Sequence, residues 1–242
     1  MPLILPTLPQ GPPSMRLTPC LAHKPLLFLC LWAFLFASLG CEKNPYQNAR
    51  LRHLGVQAFE ADEIDRAYDL FEQAIEQDYA DWKSLRYRGK CQLAQGRYTA
   101  ARNSLKHSLH INDQHPQTDA VYDELALAIF KLKRFKELYA VLNTRCQETH
   151  RAYDYLRQGD YMVLINDIDQ AKVAYKLAVK FSKKHERLPY QRLAKFYQGI
   201  NDTQGEIKML ATAYGQDPTN ATLENMLRAK GVVPGDSMLL QE

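Results

Sequence analysis

The sequence predicts an all-α, helix-turn-helix solenoid of about five repeats closed by a C-terminal capping helix. Three observations carry that prediction. Small and large residues recur with a period of 34, so that Gly55, Ala67, Phe71 and Ala74 return as Gly89, Ala101, Leu105 and Ser108. A period of that size is the signature of stacked helical units. Within each set the spacings of four and seven keep the residues on one helix face. Further partial matches then follow in phase along the rest of the chain.

The first 40 residues stand apart from the rest. They hold two basic residues, Arg16 and Lys24, and no Asp or Glu. Leu26 to Ala37 is an unbroken apolar run. About 12 residues are too few for a bilayer core, which takes roughly 20. A basic flank, a short apolar run and then small residues read as a secretory signal over residues 1–40. Met15 is a candidate for the true translation start. Residues 41–47 read as a short linker.

Repeat one covers about residues 48–81, with Leu51, Leu54, Gly55, Ala67, Phe71 and Ala74. Asn44-Pro45 is a plausible helix start, because Pro is tolerated in the first turn. Repeat two covers about 82–115, with Leu85, Gly89, Gly96, Tyr98, Ala101 and Leu105. Ile111 to Thr118, with Pro116, reads as a longer connection. Repeat three, about 119–151, has Tyr122, Leu125, Ala126 and Phe135. Repeat four, about 152–185, has Tyr155, Gly159, Ile168, Ala171, Tyr175 and Ala178. Repeat five, about 187–220, has Tyr190, Leu193, Ala194, Tyr197, Leu210, Ala213 and the closing Asp217-Pro218. A last helix at about 221–230 reads as a polar cap, which terminal repeats need for solubility. Gly231 and Pro234 stop it. Residues 231–242 read as a loose tail beyond a solenoid of 48–230.

These residues resemble the tetratricopeptide-repeat family, whose unit is 34 residues. The resemblance implies paired helices A and B, with small residues letting the two helices of a repeat approach closely. Gly96 falls where the family turns between its helices. In repeat three Leu138 and Arg145 stand where the family has small residues, so helix B there is expected to be tilted or loosely packed. The resemblance also implies that helix A supplies the inner, concave face. The candidate peptide groove is then Arg52, Phe59, Lys83, Arg86, Lys90, Leu93, Phe130 and Lys131. Further inner-face positions are Tyr153, Leu156, Asp160 and Val163 in repeat four, and Leu188, Gln191, Lys195 and Gln198 in repeat five. Lys83, Arg86 and Lys90 are three and four apart and share one helix face. A basic groove with apolar neighbours suits an extended acidic or C-terminal peptide.

Cys41 resembles the modified cysteine of bacterial lipoproteins, being preceded by Gly40. Leu39 and Ser38 stand in the opposite order to the family's usual one. The resemblance implies lipid attachment at Cys41 and a membrane-anchored protein facing the periplasm. Ordinary cleavage and secretion as a soluble protein, or an uncleaved anchor, stay open beside it. Without residues 1–40 the formal charge falls from +4 to +2. That is too small to draw nucleic acid by bulk electrostatics.

No phosphate-cradling glycine loop, nucleophile elbow or zinc-protease helix is present in the sequence. No enzyme activity, cofactor or metal is expected. His107, His110 and His115 lack a defined further ligand. Asp62, Glu63 and Asp65, like Asp167 and Asp169, suit helix N-termini. Cys91 and Cys146 read as buried thiols, with a disulfide open in an oxidising compartment. The expected function is a scaffold that binds a protein or peptide segment. It would assist envelope complex assembly, or else serve as a structural envelope protein without a groove ligand.

Overall fold

The computed structural model describes residues 45–112 and 118–235. The apolar run, Cys41 and the connection at 113–117 therefore lie outside the described residues. Eleven helices, and no strands, make up the described residues. They run α1 (Pro45–Glu60), α2 (Ile64–Gln77), α3 (Trp82–Ala94), α4 (Tyr98–Ile111), α5 (Thr118–Lys131) and α6 (Phe135–Thr149). There follow α7 (Ala152–Leu164), α8 (Ile168–Lys180), α9 (Leu188–Gly199), α10 (Thr203–Gln216) and α11 (Ala221–Ala229). Odd-numbered helices up to α9 are the A helices and their partners the B helices. Among the described residues no helix is long and apolar enough to cross a membrane.

Each A helix meets its B helix at one repeated contact, a small residue facing a large one 16 places on. The pairs are Gly55 with Phe71, Gly89 with Leu105, Ala126 with Leu142, Gly159 with Tyr175 and Ala194 with Leu210. A methyl group on Gly89 would lie 2.7 Å from Leu105 Cγ, and one on Gly159 would lie 2.7 Å from Tyr175 Cε1. The large partners are buried, several of them completely. Close approach of the two backbones is what glycine permits there.

The turns between A and B helices also repeat. A residue with positive φ sits in each: Asp62, Gly96, Lys133, Asn166 and Asn201. The amide of the next residue reaches back to the last turn of the A helix, as in Glu63 to the Ala58 carbonyl and Arg134 to that of Ile129. This satisfies carbonyls that a helix end leaves unpaired. Left-handed backbone favours Gly and Asn, so Lys133 is the unexpected member of the set.

Repeat three departs from the others as its sequence leads one to expect. Helices α5 and α6 pack less intimately than the helices of any other pair. Leu138 takes a place where alanine stands in repeats one, two and four, and it holds the helices apart. The interior is nonetheless filled, since Leu138 and Leu142 are fully buried in a cluster with Leu105, Leu125 and Ile129. Arg145 does not enter the core as alanine would. Its guanidinium lies 4.6 Å from the centre of the Tyr122 ring and 3.4 Å from Asp119.

At the C-terminal end, α11 buries Leu223 and Leu227 against Ala194, Leu210 and Ala213. Its outer side is polar, with Glu224 and Arg228 paired at 2.7 Å. Gly231 adopts a positive φ, and the Val232 amide bonds to the Leu227 carbonyl. Successive A helices touch along most of the array, while no B helix packs closely on the next B helix. The stack therefore curves with the A row inside.

Candidate functional site

The A row presents the candidate groove, and the structure distributes its residues among different roles. Arg52 on α1 reaches Asp81, the residue that caps α3 through the Lys83 and Ser84 amides. Arg86 on α3 forms a two-pronged contact with Glu124 on α5, at 2.7 and 3.0 Å, and both side chains are mostly buried. The hydrogen bonds that Arg86 donates to Glu124 outweigh burial and hold its guanidinium above its ordinary pKa. Of the stripe Lys83, Arg86 and Lys90, Arg86 is thus spent on joining neighbouring repeats, as is Arg52 beside it. The basic stripe is not a free positive surface.

Lys90 is placed otherwise. Its ammonium lies 4.4 Å from the Phe59 ring centre and 4.6 Å from that of Tyr87. Burial is the main cause that pulls its pKa down. Tyr87 in turn stacks on Phe71. Lys83 is exposed beside a cavity of about 350 Å³ between α1 and α3, which Arg52, His53 and Val56 also line. Leu93 and Phe130 pack against the apolar cluster of repeats two and three, and Phe130 also faces Tyr161 at 5.8 Å. Lys131 is exposed at the end of α5. The eight candidates therefore do not converge on one pocket.

Between repeats three and four the A row is a dense ionic network. Asp154 on α7 is 1% exposed through its side chain, and Arg157 is 4% exposed. Arg157 donates to Asp154 at 2.6 Å, to Asp123, and to the Asp119 carbonyl at 3.1 Å. Arg151 donates to Asp154 at 2.9 Å and also pairs with Asp119. Thr149 donates to Asp154 at 2.6 Å. Burial acts to raise the Asp119 pKa, but the hydrogen bonds from Arg151 and Arg145 prevail and depress it below 3.8. A depressed carboxylate contributes stability that is present above its unfolded pKa and lost as pH falls through its folded one. Thermal melts are expected to fall steeply below about pH 4, and Asp119→Asn should flatten that acid limb. An unchanged acid limb would refute the assignment.

Beyond the network the row opens. A cavity of about 500 Å³ lies between α7 and α9, lined by Val163, Leu164, Ile168, Arg192 and Lys195. A second of about 700 Å³ lies between α9 and α11, lined by Leu188, Gln191, Lys195, Gln198 and Met226. Lys195 borders both, is exposed, and has no ion pair among the described residues. Leu188, Gln191, Lys195 and Gln198 are the inner-face positions that the repeat phase assigns to repeat five. The roominess of this end depends on how successive repeats are rotated, which no local pattern reports.

No family model matches the chain, and no curated protein is similar to it over the chain. Solved structures do match. The crystal structure of YrrB, described as a TPR protein with an unusual peptide-binding site, aligns at a TM-score of 0.50 and 14% identity, covering 83% of this chain and 98% of that one. The fold is that of the tetratricopeptide-repeat proteins. The same tetratricopeptide architecture aligns with PilF of Pseudomonas aeruginosa at a TM-score of 0.52 and 14% identity, covering 86% and 95%. MamA from Desulfovibrio magneticus RS-1 aligns at 0.53 and 14%, covering 72% and 97%. Identities this low speak for the fold alone.

The two cysteines of the tetratricopeptide array lie in its interior. Cys91 and Cys146 are buried free thiols that lie in different apolar clusters. Burial pushes the first up to about 11 and the second up to about 12. Thiols so held are poor nucleophiles. His107 and His110 are exposed on α4, while His115 lies outside the described residues. Asp167 caps α8 by accepting from the Gln170 amide at 3.1 Å, and Asp65 accepts from Gln95 at 2.7 Å.

Proposed function

We propose that the protein is a non-enzymatic scaffold, anchored through a lipid on Cys41 and facing the periplasm, that holds an acidic protein segment along its A row. The observation that carries the groove is the pair of adjoining cavities over α7, α9 and α11. There the exposed Lys195 stands between the apolar side chains Val163, Leu188 and Met226. A few polar groups set in an apolar cleft are what ligand sites are made of. YrrB, of the same fold, is described as having a peptide-binding site. A tether would raise the groove's effective concentration for partners at the same membrane.

The deciding experiment is crosslinking in the native organism from a photoreactive residue at Gln198, with one at the exposed Asn103 as control. One protein captured from Gln198 and not from Asn103 supports the reading. Lys195→Glu should then weaken that partner's binding severalfold, most at low salt, since charge steers association. Failure to capture anything from Gln198 would favour a structural envelope protein without a groove ligand.

The anchor is tested separately. Cys41→Ser is expected to move the protein from the membrane to the soluble fraction, because stable anchoring needs more than one acyl chain. An intact mass showing an unmodified Cys41 at the mature N-terminus would end the lipoprotein reading.

A further inference from the structure

Positive charge gathers on α4, α6 and the turn between α5 and α6. Glu137 on the first turn of α6 is met by Arg102 at 2.7 Å, Lys106 at 2.9 Å and Arg134 at 3.0 Å. Lys131, Lys133 and Lys136 are exposed on the same turn and have no ion pair among the described residues. Three cations thus meet one carboxylate, and three lysines without an ion pair among the described residues lie within six residues of it in sequence. The chain as a whole carries only +4, so this is a local concentration and not a general property of the surface.

Apolar groups are set among these charges. Phe135, between Arg134 and Lys136, is 40% exposed, and Leu132 is half-buried. Beside Lys106 the splayed helices of repeat three leave a shallow cleft of about 280 Å³, floored by Leu109, Leu125 and Val141. Lys133 occupies the left-handed turn position with φ 56°, where the other repeats have Asp, Gly or Asn. The turn itself gives no reason for a lysine there. The next turn along carries Asp167 and Asp169 instead, which bounds the patch.

The geometry points to a docking surface for an anionic lipid bilayer, with Lys131, Lys133 and Lys136 at the headgroup phosphates and Phe135 in the interface. Two features favour a bilayer over a peptide or a nucleic acid. Lys131, Lys133 and Lys136 are all exposed and lie within six residues of chain, across the α5–α6 turn. The exposed Phe135 stands among these lysines, as an interfacial side chain beside headgroup charges would. Basic residues near an anionic surface each contribute on the order of 1 kcal/mol, screened beyond a Debye length. This inference does not depend on the groove or on Cys41.

The test uses residues 45–242, which form a compact unit with its own four apolar clusters and lack the apolar run that would itself enter lipid. Sedimentation is measured with phosphatidylcholine vesicles, with and without phosphatidylglycerol. The protein is expected to bind the anionic vesicles only, and to be released by salt. Lys133→Glu with Lys136→Glu should weaken binding about thirtyfold or more, at roughly fivefold per charge removed. Phe135→Ser should weaken it severalfold with the salt dependence unchanged. Lys131→Gln with Lys136→Gln, which alters no contact, should fall between, and Lys195→Glu should bind as wild type. Circular dichroism and melting check that each variant is folded. Equal binding to both vesicle types, no binding to either, or full binding by a folded charge-reversed variant would overturn the proposal. Retention on single-stranded DNA without vesicle binding would overturn it in favour of a nucleic-acid surface.

Discussion

Replacing Arg157 with alanine is expected to destabilise the array by about 3–5 kcal/mol, the range seen when one partner of a buried ion pair is removed. The side chain is almost wholly buried and holds three groups at once: the Asp154 and Asp123 carboxylates and the Asp119 carbonyl. Its loss takes the close donor from the buried Asp154 Oδ1, while Arg151 and Thr149 still hold Oδ2, so the cost should lie toward the lower end of that range. Chemical denaturation followed by circular dichroism should show the midpoint lowered, with repeats three and four losing structure first. Converting Arg157 to methionine and Asp154 to leucine together should cost far less than Arg157→Ala, because paired removal leaves no isolated charge. If Arg157→Ala melts like wild type, the network contributes nothing and the junction is held by other contacts.

The second large effect is expected from Gly89→Trp. Even a methyl group at Gly89 would stand 2.7 Å from Leu105 Cγ and 2.9 Å from its Cδ2. Leu105 is fully buried and has no space into which to retreat. Overpacking of this kind costs typically about 1–3 kcal/mol, and an indole at a site that does not admit a methyl should reach the upper end or pass it. Lys176→Ala, at an exposed position on α8, should change stability by no more than about 0.5 kcal/mol. Equal melting temperatures for the two variants would mean that α3 and α4 do not meet at Gly89.

These two sites also show what sequence alone conveys. The Gly89–Leu105 contact is legible because it lies within one repeat and recurs as Gly55–Phe71 and Gly159–Tyr175, so that periodicity carries it. The splay of repeat three was legible too, in Leu138 and Arg145 standing where alanine or serine stands elsewhere. The fate of the charged groups was not. Arg86 and Glu124 are 38 residues apart, and whether they meet depends on the rotation from one repeat to the next. That rotation is set by many packing contacts together, and no local spacing encodes it. For the same reason the sequence directed attention to Lys83, Arg86 and Lys90, while the roomier cavities lie at Lys195, where a single unpaired lysine gives no pattern.

The four apolar clusters of the array do not merge into one. The cluster around Leu105, Leu125 and Leu142 ends at repeat three, and the one around Tyr155 and Tyr175 reaches back from repeat four to Cys146 on α6. Tyr161 packs against both, Cys146 joins repeat three to the second, and beside these apolar contacts runs the belt of Asp119, Asp123, Arg145, Arg151, Asp154 and Arg157. Mechanically this is a chain of two links. Apolar contacts yield gradually because they act in every direction, whereas hydrogen-bonded ion pairs are short-ranged and give way within a fraction of an ångström. A load applied along the array would therefore be borne stiffly up to a threshold and then released at that belt.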